Sequence, residues 1–356
     1  YAEAGSDVLY TPTFGANRAC FSKFGLGDRV AEMNKQLTAL TRSVAENNRD
    51  RRVLVAGCMA STGLLPAPWG DTPFAELEDI YREQANALCE AGADLLVCET
   101  MTNLIEARAA LLAARETGLP VMVTLTVDKN GRTLSGARLL PSVITLQSLG
   151  AAAVGLNCSC GTSCMRTPLT ETLPHAAVPL VAKPNAMGDD GELSPEQFVK
   201  DMKRLLDAGA VIAGGCCGTT PEHIAALRKI LDRHPIVAPR EIYTNACAVE
   251  SEAFFLTDQI DTGRPIPCDS NLAESLIEAE LNTNVALLHI GLPGDVDNLL
   301  EYGGMSRLPL ALHTDSALLL DDALRRFPGR LLVDSMCEIE RPLIEDIAAK
   351  YGAVLF

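Results

Sequence analysis

Short apolar runs alternate along the chain with longer stretches in which apolar residues return every three or four positions, the pattern of strands alternating with amphipathic helices. The runs predict strands over residues 7–11, 53–58, 94–98, 121–126, 153–158, 179–183 and 211–216. Between them the periodic stretches predict helices, for example over 72–91, 104–117 and 195–208, each closing near a glycine. Regular alternation of this kind makes a parallel sheet the economical architecture. A short phrase recurs where helix should give way to strand: Ala4-Gly5-Ser6-Asp7, Ala91-Gly92-Ala93-Asp94 and, as a variant, Leu149-Gly150-Ala151.

Seven strands are one short of a closed eight-stranded barrel. Because Tyr1-Ala2-Glu3-Ala4-Gly5 reads as the end of a helix, the unit not visible is expected to be the first. The expected fold class is α/β: a (β/α)8 TIM barrel over residues 1–235, followed by a smaller α/β half-barrel-like domain over 236–356. The length of 356 residues accommodates one barrel of about 250 residues and such a companion. In the last third, strands are predicted near 253–256, 285–290, 309–313, 330–334 and 353–356, with helices over 317–327 and 341–351. An open five-stranded sheet leaves edges that something must cover, so this part is expected to dock or brace rather than form a second active site.

The composition, 47% hydrophobic and 21% charged, is that of a globular protein, and no apolar run approaches the ~18 residues that span a membrane. The net charge of −16, with no basic patch, argues against nucleic acid or an anionic membrane as partner. Twelve cysteines spread through a long, core-forming chain fit a reducing, cytoplasmic setting better than a disulfide framework.

The chemistry concentrates where strands are expected to end. Ala210-Val211-Ile212-Ala213 runs into Gly214-Gly215-Cys216-Cys217-Gly218 and then Thr219-Thr220-Pro221, which reads as strand, loop and helix start. Two adjacent cysteines are either small buried apolar side chains or thiolates around a metal, and the flanking glycines allow the sharp turn that the second reading requires. Cys158 ends an earlier run, so three sulfurs from two strands could converge and leave one position of a tetrahedral zinc open. Cys160 and Cys164 lie close to Cys158 in sequence, and the spacing alone would also allow a local metal knuckle. They are set aside as bystanders because only Cys158 falls at the strand end. Glu99 directly follows another apolar run, where a carboxylate needs a cation or several donors. The ammonium of a substrate would serve, and so would a structural salt bridge. Thr13, Asn157 and Asn185 also end strands and are candidate substrate ligands or turn residues.

Gly214-Gly215-Cys216-Cys217-Gly218-Thr219-Thr220-Pro221-Glu222-His223 resembles the zinc-dependent homocysteine S-methyltransferase family, together with Gly155-Leu156-Asn157-Cys158-Ser159, Pro184-Asn185-Ala186, Thr11-Pro12-Thr13-Phe14-Gly15 and Glu99-Thr100. The resemblance runs from Tyr1 to Leu231. It implies a (β/α)8 barrel in which Cys158, Cys216 and Cys217 hold zinc, homocysteine binds as a thiolate and is methylated to methionine, and Glu99 holds the substrate ammonium. The family's Asp-Gly-rich first-strand motif has no match here. From Leu310 to Phe356 the chain resembles the opening of the pterin-binding barrel of cobalamin-dependent methionine synthases, with Leu288-His289-Ile290 and Asp334-Ser335 in place of that family's Asp-x-Asn and Asn-Ser. This kinship implies methylcobalamin, on a separate corrinoid protein or module, as methyl donor. A thiol methyltransferase of a corrinoid pathway with another acceptor, or a catalytically silent zinc- or thiol-binding protein, are the alternative readings.

Overall fold

The computed structural model describes residues 1–48, 51–188, 191–235 and 245–356. Its main sheet contains seven parallel strands in chain order: β1 (Val8–Tyr10), β2 (Leu54–Ala60), β3 (Leu95–Met101), β4 (Val121–Leu125), β5 (Ala153–Cys158), β6 (Leu180–Pro184) and β9 (Ala210–Ala213). A small hairpin, β7 (Met187–Gly188) with β8 (Gly191–Glu192), interrupts the path from β6 to β9. Helices α2 (Val30–Asn47), α3 (Phe74–Glu90), α4 (Leu104–Arg115), α5 (Leu139–Ser148), α6 (Thr162–Thr172) and α7 (Pro195–Asp207) connect successive strands of the sheet, after the single turn α1 (Arg18–Ser22), and α8 (Pro221–Leu231) follows β9.

The strands expected from the sequence are thus all present and parallel, but two details differ. The last of them stops at Ala213, so Cys216 and Cys217 lie in the loop beyond it rather than on the strand. The sheet is curled, since side chains from β1, β3 and β6 meet on one face, yet its edge strands β1 and β9 do not pair with each other. Beyond the edges, the N-terminal residues lie against α8 and the loop before it: Tyr1 donates to the Thr219 carbonyl at 2.6 Å and Arg228 bonds Asp7 at 2.6 Å.

In the last third, β12 (Ile266–Pro267), β13 (Ala286–His289), β14 (Leu310–His313), β15 (Leu332–Val333) and β16 (Val354–Leu355) form the second sheet, parallel throughout. Helices α9 (Leu272–Ala279), α10 (Pro293–Tyr302), α11 (Ala317–Arg326) and α12 (Arg341–Tyr351) connect its strands. The run predicted over 253–256 does not join it. That segment, β11 (Ala253–Phe255), pairs antiparallel with β10 (Ala246–Ala248) in a separate hairpin against α5, and Ile266–Pro267 takes the fifth place in the sheet. The length-two strand there was too short to leave a periodic signal. The expected boundary at 235/236 adjoins residues 236–244, outside the described residues. Asp334, after β15, accepts from His313 at 2.8 Å and from the Met336 amide at 2.9 Å.

One contiguous apolar cluster runs from β3–β5 through α3, α4 and α5 to α11 and α12. Helix α4 is buried nearly all round because it is covered on both sides, by the main sheet and by the second unit. Within it Arg108, 1% exposed, donates to the carbonyls of Leu324 (2.6 Å), Arg325 (3.3 Å) and Gly329 (3.1 Å). The guanidinium therefore satisfies the carbonyl end of α11, where a helix lacks internal donors and carries partial negative charge. Among the described residues no helix is long and apolar enough to cross a membrane.

Candidate active site

The end of β3 and the loops that follow β5, β6 and β9 meet at one end of the main sheet, the carboxyl end, where parallel α/β folds carry their chemistry. The last residue of β5, Cys158, and the next, Ser159, are non-glycine residues with left-handed backbone, both at φ 57°. Such residues cost of order 1–3 kcal/mol each and persist where neighbours hold them. Here Thr126 and Val127 do so: the Ser159 amide donates to Thr126 Oγ1 at 3.1 Å, and Ser159 Oγ accepts from the Val127 amide at 3.0 Å. After β9, Gly215 lets the chain fold tightly, because a Cβ there would lie 2.2 Å from the Thr219 methyl.

These two turns bring Cys158, Cys216 and Cys217 together, with their sulfur atoms all within 4.8 Å of one another. The cluster joins the loop after β9 to the end of β5 through Pro184-Asn185-Ala186. The Cys216 amide donates to the Pro184 carbonyl (2.9 Å) and the Ala186 amide to the Cys217 carbonyl (2.9 Å). Asn185 bridges the two cysteine loops, accepting from the Cys217 amide at 3.1 Å and donating to the Ser159 carbonyl at 3.1 Å. Burial, and then the neighbouring Cys158, push the Cys216 thiol above its ordinary range. Three sulfurs this close repel one another once ionised, so a soft cation is the partner that the donor set fits. Cys160 and Cys164 stay outside the cluster and are joined to each other by a disulfide at the start of α6.

Asn157 is fully buried and connects the sulfur cluster to the end of β3. It accepts from the Thr100 amide at 3.0 Å, donates to Thr100 Oγ1 at 2.7 Å, and lies 3.6 Å from Cys216 Sγ as a donor. Thr100 is itself left-handed, at φ 59°. Glu99 precedes it, 8% exposed, and its partner is Lys183 of β6, which it meets across the curled face of the sheet. The other Glu99 oxygen accepts from Cys58 at 3.4 Å. Lys183 Nζ also sits 3.7 Å over the Tyr10 ring. Burial works against its charge, yet Tyr10 and Glu99 hold the ammonium above its ordinary value. Burial pushes the Tyr10 hydroxyl up to about 12.

Of the candidates read from the sequence, Cys158, Cys216, Cys217, Glu99, Asn157 and Asn185 are gathered here. Thr13 is placed differently: fully buried, its hydroxyl donates to the Cys58 carbonyl at 2.7 Å and pairs with Thr11 at 2.6 Å, which pins the loop after β1 to β2. Lys183 and Tyr10 were missed. A lysine inside an apolar strand run was the available signal. Beside Ser159 and Asn185 opens a polar-lined cavity of about 920 Å³ that also includes Thr162, Arg166, Met187 and Gln197.

Comparison with known proteins adds to this geometry. A family model described as Homocysteine S-methyltransferase matches residues 1–231. The chain is 32% identical over 240 residues to the methionine synthase of Mycobacterium tuberculosis, covering 63% of this chain and 20% of that protein. The methionine synthase of Mycobacterium leprae is 31% identical over the same shares. The chain thus spans about a fifth of the length of these curated relatives. Among solved structures, the metallated form of the homocysteine methyltransferase MmuM from Escherichia coli is similar at a TM-score of 0.55 and 27% identity, over 65% of this chain and 81% of that one.

Proposed function

Because the chain belongs to the homocysteine S-methyltransferase family, we propose that it transfers a methyl group to the thiol of homocysteine, giving methionine. The observation that carries the proposal is the convergence of Cys158, Cys216 and Cys217 within 4.8 Å, from two loops at the carboxyl end of the sheet. Three cysteine ligands suit zinc with one position left for the acceptor. Zinc bound there would favour the acceptor's thiolate over its thiol, whose ordinary pKa is about 8.5, and so supply a nucleophile at neutral pH.

The chain's own residues do the rest. Asn185 holds the two cysteine loops in register, and Asn157 aims an amide N–H at Cys216 while fixing the strained Thr100. Such outer contacts orient ligands and temper the charge of the sulfurs. Glu99 supplies the carboxylate for the acceptor's ammonium. For the donor we favour a methylated corrinoid carried by a separate protein or module. The similarity to methionine synthases supports this, as does the resemblance of the last third to the domain that follows the homocysteine barrel in that branch.

Two measurements test the reading. Methionine formation by the purified chain should occur with methylcobalamin or a methylated corrinoid protein; robust turnover with betaine and none with either corrinoid rejects the donor. Zinc analysis of single variants should show loss of metal in Cys158→Ser, Cys216→Ser and Cys217→Ser, and full metal in Cys160→Ser and Glu99→Ala. Zinc retained by Cys216→Ser and lost by Cys160→Ser would mean a different ligand set.

A further inference from the structure

Glu99 is already neutralised by the protein itself. One oxygen faces Lys183, the other accepts from Cys58, and the carboxylate is nearly inaccessible to water. An incoming ammonium would approach Glu99 beside the Lys183 ammonium, and two cations in a poorly solvated space repel strongly unless an anion arrives with them. An α-amino acid brings that anion. We infer that Lys183 is a specificity-determining residue: it holds Glu99 in the free protein, then turns to the α-carboxylate of the acceptor while the acceptor's ammonium takes its place on Glu99.

This inference rests on homocysteine being the acceptor. The exchange is non-covalent and balanced in charge: one ion pair opens and two form, with a zwitterion entering a neutral Lys183–Glu99 couple. The flexible four-carbon stem of lysine permits the turn. Tyr10 stays beside Nζ, since the cation lies over its ring at 3.7 Å on the β1 side of the curled sheet. A thiol carrying only one of the two charges leaves one protein charge without a partner, so the couple selects amino acids over simple thiol acids or thiol amines.

Calorimetric titration of the zinc-supplemented chain with three thiols tests it: homocysteine, 3-mercaptopropylamine (no carboxylate) and 4-mercaptobutyrate (no ammonium). Wild type should bind homocysteine roughly 10- to 100-fold more tightly than either of the others, the range of a charged hydrogen bond. In Lys183→Met, homocysteine should lose its advantage over 3-mercaptopropylamine, and the amine should bind more tightly than it does to wild type because Glu99 is no longer occupied. Lys183→Arg should restore preference for homocysteine. A Lys183→Met variant that weakens all three thiols by one factor, or leaves the amine no tighter, overturns the exchange. Zinc content matching wild type shows that the variant kept its site. Failure of the acceptor reading looks different: wild type would bind 4-mercaptobutyrate but not homocysteine, and Lys183→Met would abolish that binding, leaving the carboxylate contact standing. No thiol bound by wild type overturns both.

Discussion

Asn157→Ala should weaken both the fold and the proposed zinc site. Its amide is fully buried, so three contacts vanish together: the acceptor for the Thr100 amide, the donor to Thr100 Oγ1, and the donor to Cys216 Sγ. A buried donor left without a partner costs about 1–3 kcal/mol, the hydroxyl bond about 1 kcal/mol net, and the small void adds about as much again. Against this, Thr100 is free to leave its left-handed conformation, recovering roughly 1–2 kcal/mol. The net expectation is a loss of about 2–3 kcal/mol in urea unfolding. Cys216 also loses its N–H donor, so zinc affinity should fall about tenfold or more, as when other outer-shell partners are removed. Competition with a chromophoric chelator reads the affinity. Thr100→Ala is the control, because it removes the hydroxyl and its methyl but keeps the amide that donates to Asn157: it should cost about 1 kcal/mol and leave zinc binding unchanged. An Asn157→Ala chain with unaltered zinc affinity and an unfolding free energy within about 0.5 kcal/mol of wild type would refute the reasoning.

Two further predictions concern stability. Burial raises the Glu250 carboxyl to about 7, although Ser135 donates to it at 2.9 Å. A folded pKa above the unfolded value of about 4.5 means that the native state holds the proton more tightly, so its contribution is full below pH 4.5 and is lost as pH rises through 7; at about 1.4 kcal/mol per unit this amounts to roughly 3 kcal/mol. Glu250→Gln should flatten the decline in unfolding free energy between pH 5 and about 8, and an unchanged slope contradicts the assignment. Arg108→Ala should destabilise by about 3 kcal/mol, from a void in the core and three carbonyls left without their donor at and just beyond the end of α11. Arg108→Met should cost clearly less, because it keeps the volume and sheds a charge whose pKa burial already lowers to about 9; equal losses in the two variants would count against this account of the interface.

How much of this was legible in the sequence follows from the range of the forces involved. Strand and helix periodicity is a local property, and it placed all seven strands of the main sheet and helices such as α4, α7 and α12 to within a few residues. The cysteine ligand candidates were legible for a related reason: a thiol next to glycines after an apolar run is a local signal. What the chain could not announce were contacts between residues distant in sequence. A lysine in an apolar strand run signals that Lys183 needs a partner, but only the curl of the sheet sets it against Glu99 of β3 and Tyr10 of β1. Thr13 carries the same strand-end signature as Asn157, yet folding turns it inward to Thr11 and Cys58. Strand 253–256 had the right pattern, but periodicity does not record the pairing partner, and the hairpin with 246–248 took it from the second sheet. The sequence by itself determined most of which segments extend, which coil and which thiols are candidate metal ligands, because those follow from neighbours along the chain. The tertiary structure alone decided which charges meet, since opposite charges in a poorly solvated interior take the nearest partner in space.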